Sequence, residues 1–261
     1  METLLVDRAD GIVTVTMNRP EKKNAVNDVM FNELGEIFRE VADRIDDRVL
    51  VLTGAGGAFC SGADLTAGGG GGSGGEQPHQ LTRMRHVADV VLALHRLAKP
   101  TIAKVTGVAA GIGANFAFGC DLIVASDEAR FSEIFARRGL TIDGGGSWLL
   151  PRLVGMHRAK ELCLLADIIS AKEALDIGLV NRVVPAGDVD RFVDDWAHRL
   201  AAGPPIALSM TKTLLNNSFM VSMDQALEDE GRCQTVNFGT EDTPEAFAAF
   251  VQKRDPVFKG R

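Results

Sequence analysis

The segment Ala103-Lys-Val-Thr-Gly-Val-Ala-Ala-Gly-Ile-Gly-Ala-Asn-Phe-Ala-Phe-Gly-Cys-Asp121 decides the fold. Its pattern is typical of a buried strand that passes through a glycine-rich turn into a helix. Because Gly107, Gly111 and Gly113 lack a Cβ and adopt positive φ readily, the chain can reverse there and leave unpaired N–H groups at the helix start. Such N–H groups attract negative charge. We therefore expect this turn to face an anion.

The turn differs from two phosphate-binding motifs. A dinucleotide fingerprint needs a third small residue where this chain has Phe116, and a phosphate loop needs Gly-Lys-Ser/Thr, which the sequence lacks here. The pattern therefore disfavours a pyrophosphate or a γ-phosphate as the anion.

A second segment has the same organisation. The apolar run Val49–Thr53 predicts a buried strand of a mainly parallel sheet, and it leads into the glycine-rich stretch Gly54–Leu65. Two strand-turn units can each present a backbone N–H to one pocket. Two donors that converge on one point form an oxyanion hole.

Composition sets the protein class. The 261 residues are 46% hydrophobic and 24% charged, which is typical of a soluble globular protein with one large core and an appendage; the alternation of strand and helix patterns makes it an α/β protein. The net charge of −7 disfavours binding to nucleic acid or to an anionic membrane, and no apolar run reaches membrane-spanning length. We expect the partners to be a small ligand and further copies of the chain.

The cysteines and histidines indicate reduced thiols and no metal site. The four cysteines are widely spaced, the N-terminus has no signal-peptide pattern, and the five histidines lack ligand spacing. These features predict a cytoplasmic protein without a bound transition metal.

Strand and helix patterns predict how the chain is organised. A hairpin is expected at residues 2–8 and 11–17, and a helix at 28–46. After residue 188 the pattern is helical to the end, with Thr243 expected to cap the last helix. We divide the chain into a core of residues 1–195 and a helical region of residues 196–261, which suits an oligomer surface. The glycine-rich stretch Gly68–Gly75 is interpreted as a flexible surface excursion rather than a lid.

Asp143 is the strongest catalytic candidate. It is a lone carboxylate between Leu140-Thr-Ile142 and three glycines, with Trp148-Leu-Leu150 beyond. An apolar wall raises a carboxyl pKa, which suits an acid/base group. The alternative, that Asp143 caps a helix starting near Gly144, stays open at this point.

Other polar residues receive weaker interpretations. We expect Asp64 to cap a helix, Asp121 to fix the start of a strand, and Glu133 to be solvated. Asn115 could hydrogen-bond a substrate, although a residue of the first helical turn is the simpler interpretation. Ser147 lacks the second glycine of a nucleophile elbow, which disfavours a serine hydrolase.

The ordered motifs resemble the crotonase (enoyl-CoA hydratase/isomerase) superfamily along almost the whole chain. The similar segments are Asn18–Ala25, Leu52–Leu65, Lys99-Pro100, Gly107–Ala114, Cys120-Asp121 and Leu150–Gly155. The resemblance implies a crotonase-like spiral of ββα units in residues 1–195, followed by a C-terminal helical trimerisation region. It also implies a CoA thioester as substrate, with no separate cofactor, and a homotrimer or a dimer of trimers.

The resemblance also assigns site residues. The N–H groups of Ala63 and Gly113 would hold the thioester oxygen, and the CoA moiety would lie along the backbone at Ala25 and at Ala63, Asp64, Leu65 and Thr66. The acyl group would meet Gly113, Asn115, Phe135 and Trp148.

One departure from the family shapes the predicted reaction. Hydratases of this family carry two catalytic glutamates, and Asn115 and Phe135 stand at those places. Asp143, in the segment Ile142–Arg152, instead resembles the aspartate of the 1,2-epoxyphenylacetyl-CoA isomerase branch. The resemblance therefore implies double-bond isomerisation by Asp143, with hydration of a 2-enoyl-CoA and non-catalytic binding of a CoA ester as alternatives.

Overall fold

The computed structural model describes residues 1–65 and 79–261. Thr66 and the Gly68–Gly75 stretch, for which the sequence predicts a CoA contact and a flexible excursion, lie outside the described residues. Within the described part, no helix has the length and apolar character needed to cross a membrane.

The strands of the described residues form two sheets. In chain order they are β1 (Leu4–Ala9), β2 (Ile12–Met17), β3 (Val49–Gly54), β4 (Thr101–Val105), β5 (Val108–Ala110), β6 (Leu122–Ser126), β7 (Arg130–Ser132), β8 (Ile169–Ser170) and β9 (Arg182–Val184). The larger sheet has the order β1-β2-β3-β4-β6-β9, and the smaller has the order β5-β7-β8. From β2 to β9 the neighbours in the larger sheet are parallel, as the apolar strand runs predict.

The α-helices of the described residues lie between and after these strands. They are α1 (Asp28–Asp43), α2 (Gln80–His95), α3 (Ile112–Phe118), α4 (Gly146–Leu165), α5 (Ala171–Asp176), α6 (Val189–Ala201), α7 (Pro205–Asn217), α8 (Met223–Phe238) and α9 (Asp242–Gln252). Helix α4 is interrupted at Gly155, where φ is 76° and ψ is 162°.

The predicted N-terminal hairpin is confirmed. Strands β1 and β2 are antiparallel, and their turn places Asp10 at φ 52° and Gly11 at φ 78°. Two successive positive φ angles match the right-handed twist of a hairpin, and this is why an Asp-Gly pair is favoured there.

A ββα unit occurs twice in succession. Strand β4 belongs to the larger sheet and β5 to the smaller one, and α3 follows; β6, β7 and α4 then repeat this order. Strand β6 pairs in parallel with β4, and β7 pairs in parallel with β5, so the second unit stacks on the first. The repetition agrees with the spiral of ββα units expected from the sequence.

The larger sheet is covered on both faces. On one face, α1, α2 and α3 pack in the main apolar core, whose fully buried side chains include Phe38, Phe59 and Phe116. On the other face, α6 contributes Val189 and Val193 to a second cluster against the strands. The predicted division between residues 195 and 196 therefore falls inside a helix that packs on the sheet.

Asp121 fixes the start of a strand, as predicted. Its Oδ2 accepts hydrogen bonds from the Thr101 N–H at 2.8 Å and from the Thr101 hydroxyl at 2.9 Å. The Lys212 ammonium of α7 lies 2.8 Å from the same oxygen. One carboxylate thus joins the first residue of β4 to the C-terminal helices.

Two local predictions are wrong. Helix α1 ends at Asp43 rather than at residue 46. Ile45 therefore lies after the last helical turn and is 89% exposed, instead of continuing the apolar face of the helix. Thr243 does not cap α9, which begins at Asp242. The Thr243 hydroxyl instead donates to the carbonyl of Asn237, at 2.7 Å.

Candidate active site

A cavity of about 600 Å³ lies between the Ser61–Leu65 segment, the turn into α3 and the chain from β7 to Asp143. Five of the predicted site residues line it, and these are Ala63, Asp64, Leu65, Phe135 and Asp143. Gly111 and Ile112, at the start of α3, line it as well. The two glycine-rich segments that the sequence singles out therefore meet at one cavity.

The backbone of Ala63 presents an N–H group to this cavity. Ala63 forms a parallel bridge with Val26, in which the Val26 N–H donates to Gly62 and the Asp64 N–H donates to Val26, both at 2.8 Å. A parallel bridge uses the residues on either side of Ala63, so the N–H of Ala63 points away from Val26. Since Ala63 lines the cavity, this N–H is a candidate donor to a ligand oxygen.

Gly113 lies in the first turn of α3, where helix geometry leaves N–H groups without an intrahelical acceptor. A methyl group at this position would lie 2.5 Å from the carbonyl oxygen and from the Sγ of Cys60. This close approach explains why a glycine is needed here. It also means that α3 packs directly against the segment that carries Ala63. Gly113 itself is buried and is not among the described residues that line the cavity.

The carboxyl of Asp143 lies on the cavity wall. Burial raises its pKa, and its Oδ1 is buried with no hydrogen-bond partner in the described part of the protein. Helix α4 begins only at Gly146, with Gly145 at the N-cap and no side-chain cap bond. The alternative that Asp143 caps this helix is therefore wrong, and its carboxyl is available for other chemistry.

Asn115 holds the segment of Asp143 in place. Its side chain is fully buried in α3, and its Nδ2 donates to the main-chain carbonyl of Asp143 at 2.9 Å. A methyl group on Gly146 would lie 2.6 Å from the Asn115 Oδ1. Asn115 therefore packs beneath the loop and not directly on the cavity surface.

Glu133 is buried, and the expectation that it is solvated is wrong. It is 2% exposed, and its Oε2 lies 3.5 Å from the Asn115 Nδ2. Burial, with a smaller contribution from the charge of Asp143, raises the pKa of Glu133 to about 8. The signal that sequence reasoning missed is its position between the buried strand β7 and the apolar pair Ile134-Phe135.

Asp64 forms an ion pair with Arg19, while the helix that it was predicted to cap would begin outside the described residues. Its Oδ2 lies 2.8 Å from an Nη of Arg19, and its side chain is 4% exposed. The other Nη of Arg19 donates to the carbonyl of Ala25 at 2.6 Å. Arg19 thus joins Ala25, which is buried beside the cavity segment, to a carboxylate that lines the cavity.

Trp148 lies away from the other predicted site residues. Its ring meets the edge of His95 with the two ring centroids 5.2 Å apart, and the guanidinium carbon of Arg152 lies 3.9 Å from its ring centroid. These residues line different cavities, between α2, α4 and α7. Because α4 starts at Gly146, Asp143 and Trp148 are held on different sides of the loop.

No group of three or more His, Cys, Asp or Glu side chains in the described ranges could hold a metal ion. The four cysteines are free thiols. Of the two carboxyl groups that line the cavity, Asp64 is paired with Arg19, and Asp143 is the one with a pKa raised by burial.

Comparison with known proteins links this cavity to a family. The family model for enoyl-CoA hydratase/isomerase matches residues 7–261. A 1,2-epoxyphenylacetyl-CoA isomerase of Escherichia coli (strain K12) is 36% identical over 261 residues, with 100% of both chains covered. A short-chain-enoyl-CoA hydratase of Clostridium acetobutylicum is 32% identical, with 97% of this chain and 96% of that protein covered.

Solved structures confirm the predicted crotonase-like fold. The crystal structure of a putative enoyl-CoA hydratase from Streptomyces coelicolor A3(2) has a TM-score of 0.94 and 37% identity, with 99% of this chain and 94% of that chain covered. An enoyl-CoA hydratase from Mycobacterium smegmatis has a TM-score of 0.91 and 34% identity, with 98% of each chain covered.

Proposed function

The chain belongs to the enoyl-CoA hydratase/isomerase family, and we propose that it is a CoA-thioester isomerase that moves a proton between carbons of an unsaturated acyl group. Its relatives carry the names of enzymes, both isomerases and hydratases, so the family membership confirms an enzyme of the crotonase type. The observation that carries the isomerase proposal is that Asp143 and Ala63 line one cavity, where the Oδ1 of Asp143 has no hydrogen-bond partner among the described residues.

The proposed reaction uses one carboxylate and two backbone donors. The Asp143 carboxylate takes a proton from a carbon of the acyl group, and the electron pair moves toward the thioester to give an enolate. The N–H groups of Ala63 and Gly113 stabilise the enolate oxygen, at ~3 kcal/mol of barrier for each donor. Asp143 then returns the proton to a different carbon, so the double bond moves and no atom is gained or lost.

The substrate is proposed to enter as an acyl-CoA. The CoA moiety would follow the backbone from Ala25 to Ala63 and Leu65, and the acyl group would meet Phe135 and the apolar cavity wall. The similarity to a 1,2-epoxyphenylacetyl-CoA isomerase makes an aryl-acetyl or ring-derived acyl group the first to test.

The test is solvent-deuterium incorporation into 2-enoyl-, 3-enoyl- and aryl-CoA thioesters, followed by NMR and mass spectrometry. We expect the wild type to exchange a carbon-bound proton or to move the double bond. Asp143→Asn should lose at least ~10²-fold of this turnover, since it removes the base, while it retains thioester binding by calorimetry. Ser147→Ala is the matched control, because Ser147 is exposed in the same segment.

Three outcomes would overturn the proposal. Unchanged turnover in Asp143→Asn would remove the role of this carboxyl. A product that carries solvent oxygen would establish hydration, the activity named for several relatives. If the protein binds the thioesters but no carbon-bound proton exchanges with solvent, the protein has only a binding role.

We also propose a homotrimer or a dimer of trimers assembled through residues 196–261. Helices α7 and α8 bury none of their residues within the chain. Large apolar side chains are exposed on the C-terminal helices and on the turn between α7 and α8, among them Leu215, Phe219, Met220, Met223, Leu227, Phe238, Phe247 and Phe250. Light scattering coupled to size exclusion tests the assembly, and a monomer at micromolar concentration would contradict it.

A further inference from the structure

Three buried polar atoms without hydrogen-bond partners come from one cluster. Among the described residues, five buried side-chain nitrogen or oxygen atoms lack a partner, and three of these are Asn115 Oδ1, Glu133 Oε1 and Asp143 Oδ1. We call Asn115, Glu133 and Asp143 the carboxyl cluster. Unsatisfied buried polar groups are costly, and their concentration at one place indicates function rather than packing.

The cluster has a definite order. Asn115 lies between the two carboxyl-bearing residues, because its Nδ2 is 2.9 Å from the main-chain oxygen of Asp143 and 3.5 Å from the Oε2 of Glu133. Asp143 lines the cavity, whereas Glu133 is not among the described residues that do so. Glu133 therefore does not touch a substrate in this cavity, and it can act only through Asn115 and Asp143 or through its charge.

The surroundings of Glu133 favour its neutral form. Asn115 faces it from α3, Asp143 from the loop before α4, and Cys163 from α4. Burial, with a smaller contribution from the charge of Glu133, raises the pKa of the Cys163 thiol to about 11. The titratable neighbours are thus a carboxylate and a neutral thiol, and neither stabilises a second negative charge.

We propose that Glu133 is a positioning residue for Asp143, and that turnover requires its carboxyl to be un-ionised. This inference rests on the proposed function of Asp143 as the base. A neutral Glu133 leaves the Asn115 amide on the Asp143 carbonyl and adds no second negative charge to the carboxyl cluster.

Ionisation of Glu133 would disturb the site in two ways. A carboxylate accepts a stronger hydrogen bond than a carboxylic acid, so it would draw the Asn115 Nδ2 away from the Asp143 carbonyl. The new charge would also oppose the negative charge that develops on the enolate in a medium of low dielectric constant. Both effects lower kcat more than they weaken substrate binding.

The pH dependence of kcat tests the inference. We expect wild-type kcat to fall by about tenfold per pH unit above the pKa of Glu133, which lies at about 8. Glu133→Gln mimics the neutral carboxyl, so its kcat at pH 7 should stay within about threefold of wild type and remain flat to pH 9.5. Cys163→Ala is the control for the other titratable neighbour, and its kcat should fall above about pH 8 in the same way as that of the wild type.

A readout that needs no variant accompanies the kinetics. The infrared C=O stretch of a buried carboxylic acid should be present in the wild type at pH 7 and disappear as the pH rises through about 8. The same titration of Asp143→Asn, which removes the other carboxyl of the cluster, assigns the band to Glu133. If Glu133→Gln does not fold, the midpoint of this band is compared with the pH at which wild-type kcat falls, and two different values would contradict the inference.

Two results would overturn the inference, and both differ from failure of the proposed function. If kcat falls above about pH 8 equally in wild type and in Glu133→Gln, a group other than Glu133 controls this fall. Absence of a protonated carboxyl at pH 7 would show that Glu133 is ionised. If instead Asp143→Asn retains turnover, the proposed function fails, while the infrared titration still reports on Glu133.

Discussion

Replacing Glu133 with Gln should change how folding stability depends on pH. The native protein holds the Glu133 proton up to a pKa of about 8, while an unfolded chain releases it near the ordinary value of 4.5. Between these two values the native state binds one more proton than the unfolded state, so the free energy of unfolding falls as the pH rises. Below about 4.5 both states are protonated and this loss is absent.

The size of the effect follows from the two pKa values. The interval from 4.5 to about 8, at 1.36 kcal/mol per pH unit, corresponds to an upper limit of about 5 kcal/mol. Relaxation of the structure around an ionised carboxylate reduces this figure, and we expect about 2–5 kcal/mol. Glu133→Gln has no proton to lose, so it should gain this amount relative to the wild type between pH 5 and pH 8.

Urea denaturation at several pH values measures the difference. Wild type, Glu133→Gln and the control Glu128→Gln are compared at one protomer concentration, because assembly shifts apparent stability. Glu128 is exposed five residues earlier in the chain, so its variant should follow the wild type. If the free energy of unfolding changes with pH in the same way for wild type and Glu133→Gln, Glu133 is not a neutral buried carboxyl.

Two further substitutions probe the backbone of the site and its support. Gly113→Ala places a methyl group 2.5 Å from the carbonyl oxygen of Cys60, so α3 must move and deuterium exchange into the thioester should fall by about 10²-fold or more. Gly187→Ala, at a position open to solvent, is the control. Full exchange in Gly113→Ala would contradict the role of its N–H as a donor. Asp121→Ala leaves the buried N–H of Thr101 without its acceptor, which should lower the free energy of unfolding by about 1–3 kcal/mol in urea titrations; an unchanged value would show that the bond contributes nothing.

Much of the fold can be predicted from local sequence because its signals are local. The apolar run Val49–Thr53 and the glycine-rich turn after Ala103 each specify a strand and its exit without reference to the rest of the chain. The order of the strands is not local, since β6 pairs with both β4 and β9. Only the spiral of ββα units was implied by the resemblance to a family, and the strand order itself is visible in the structure alone.

The candidate site was predictable where function depends on backbone or on an isolated charge. Ala63 and Asp143 stand out because a glycine turn exposes an N–H and an apolar flank isolates a carboxyl, and both line the cavity. Trp148, which the resemblance assigns to the substrate, does not line this cavity. The loop ends at Gly146, however, and the first turn of α4 directs Trp148 toward His95.

The sequence around Glu133 gives two opposite signals, because charged residues lie on both sides of the apolar pair Ile134-Phe135 that follows it. Arg130 precedes it, and Arg137 and Arg138 follow, so the segment has the composition of a surface turn. In the structure all three arginines are exposed while Glu133 points into the core, because β7 is only three residues long and leads directly into a tight turn. The direction of a side chain in so short a strand depends on tertiary packing.

The depth of the two carboxyls bears on the choice between isomerisation and hydration. Hydration needs one group to activate water and a second group to protonate carbon, and both must reach the reacting atoms. Asp143 reaches the cavity, but Asn115 stands between it and Glu133. Phe135, which the resemblance places where hydratases carry a glutamate, lines the cavity with an apolar ring. A single carboxylate that takes up a proton and returns it requires no second group at the substrate. The arrangement of the carboxyl cluster therefore favours isomerisation, with Glu133 acting on the base and not on the acyl group.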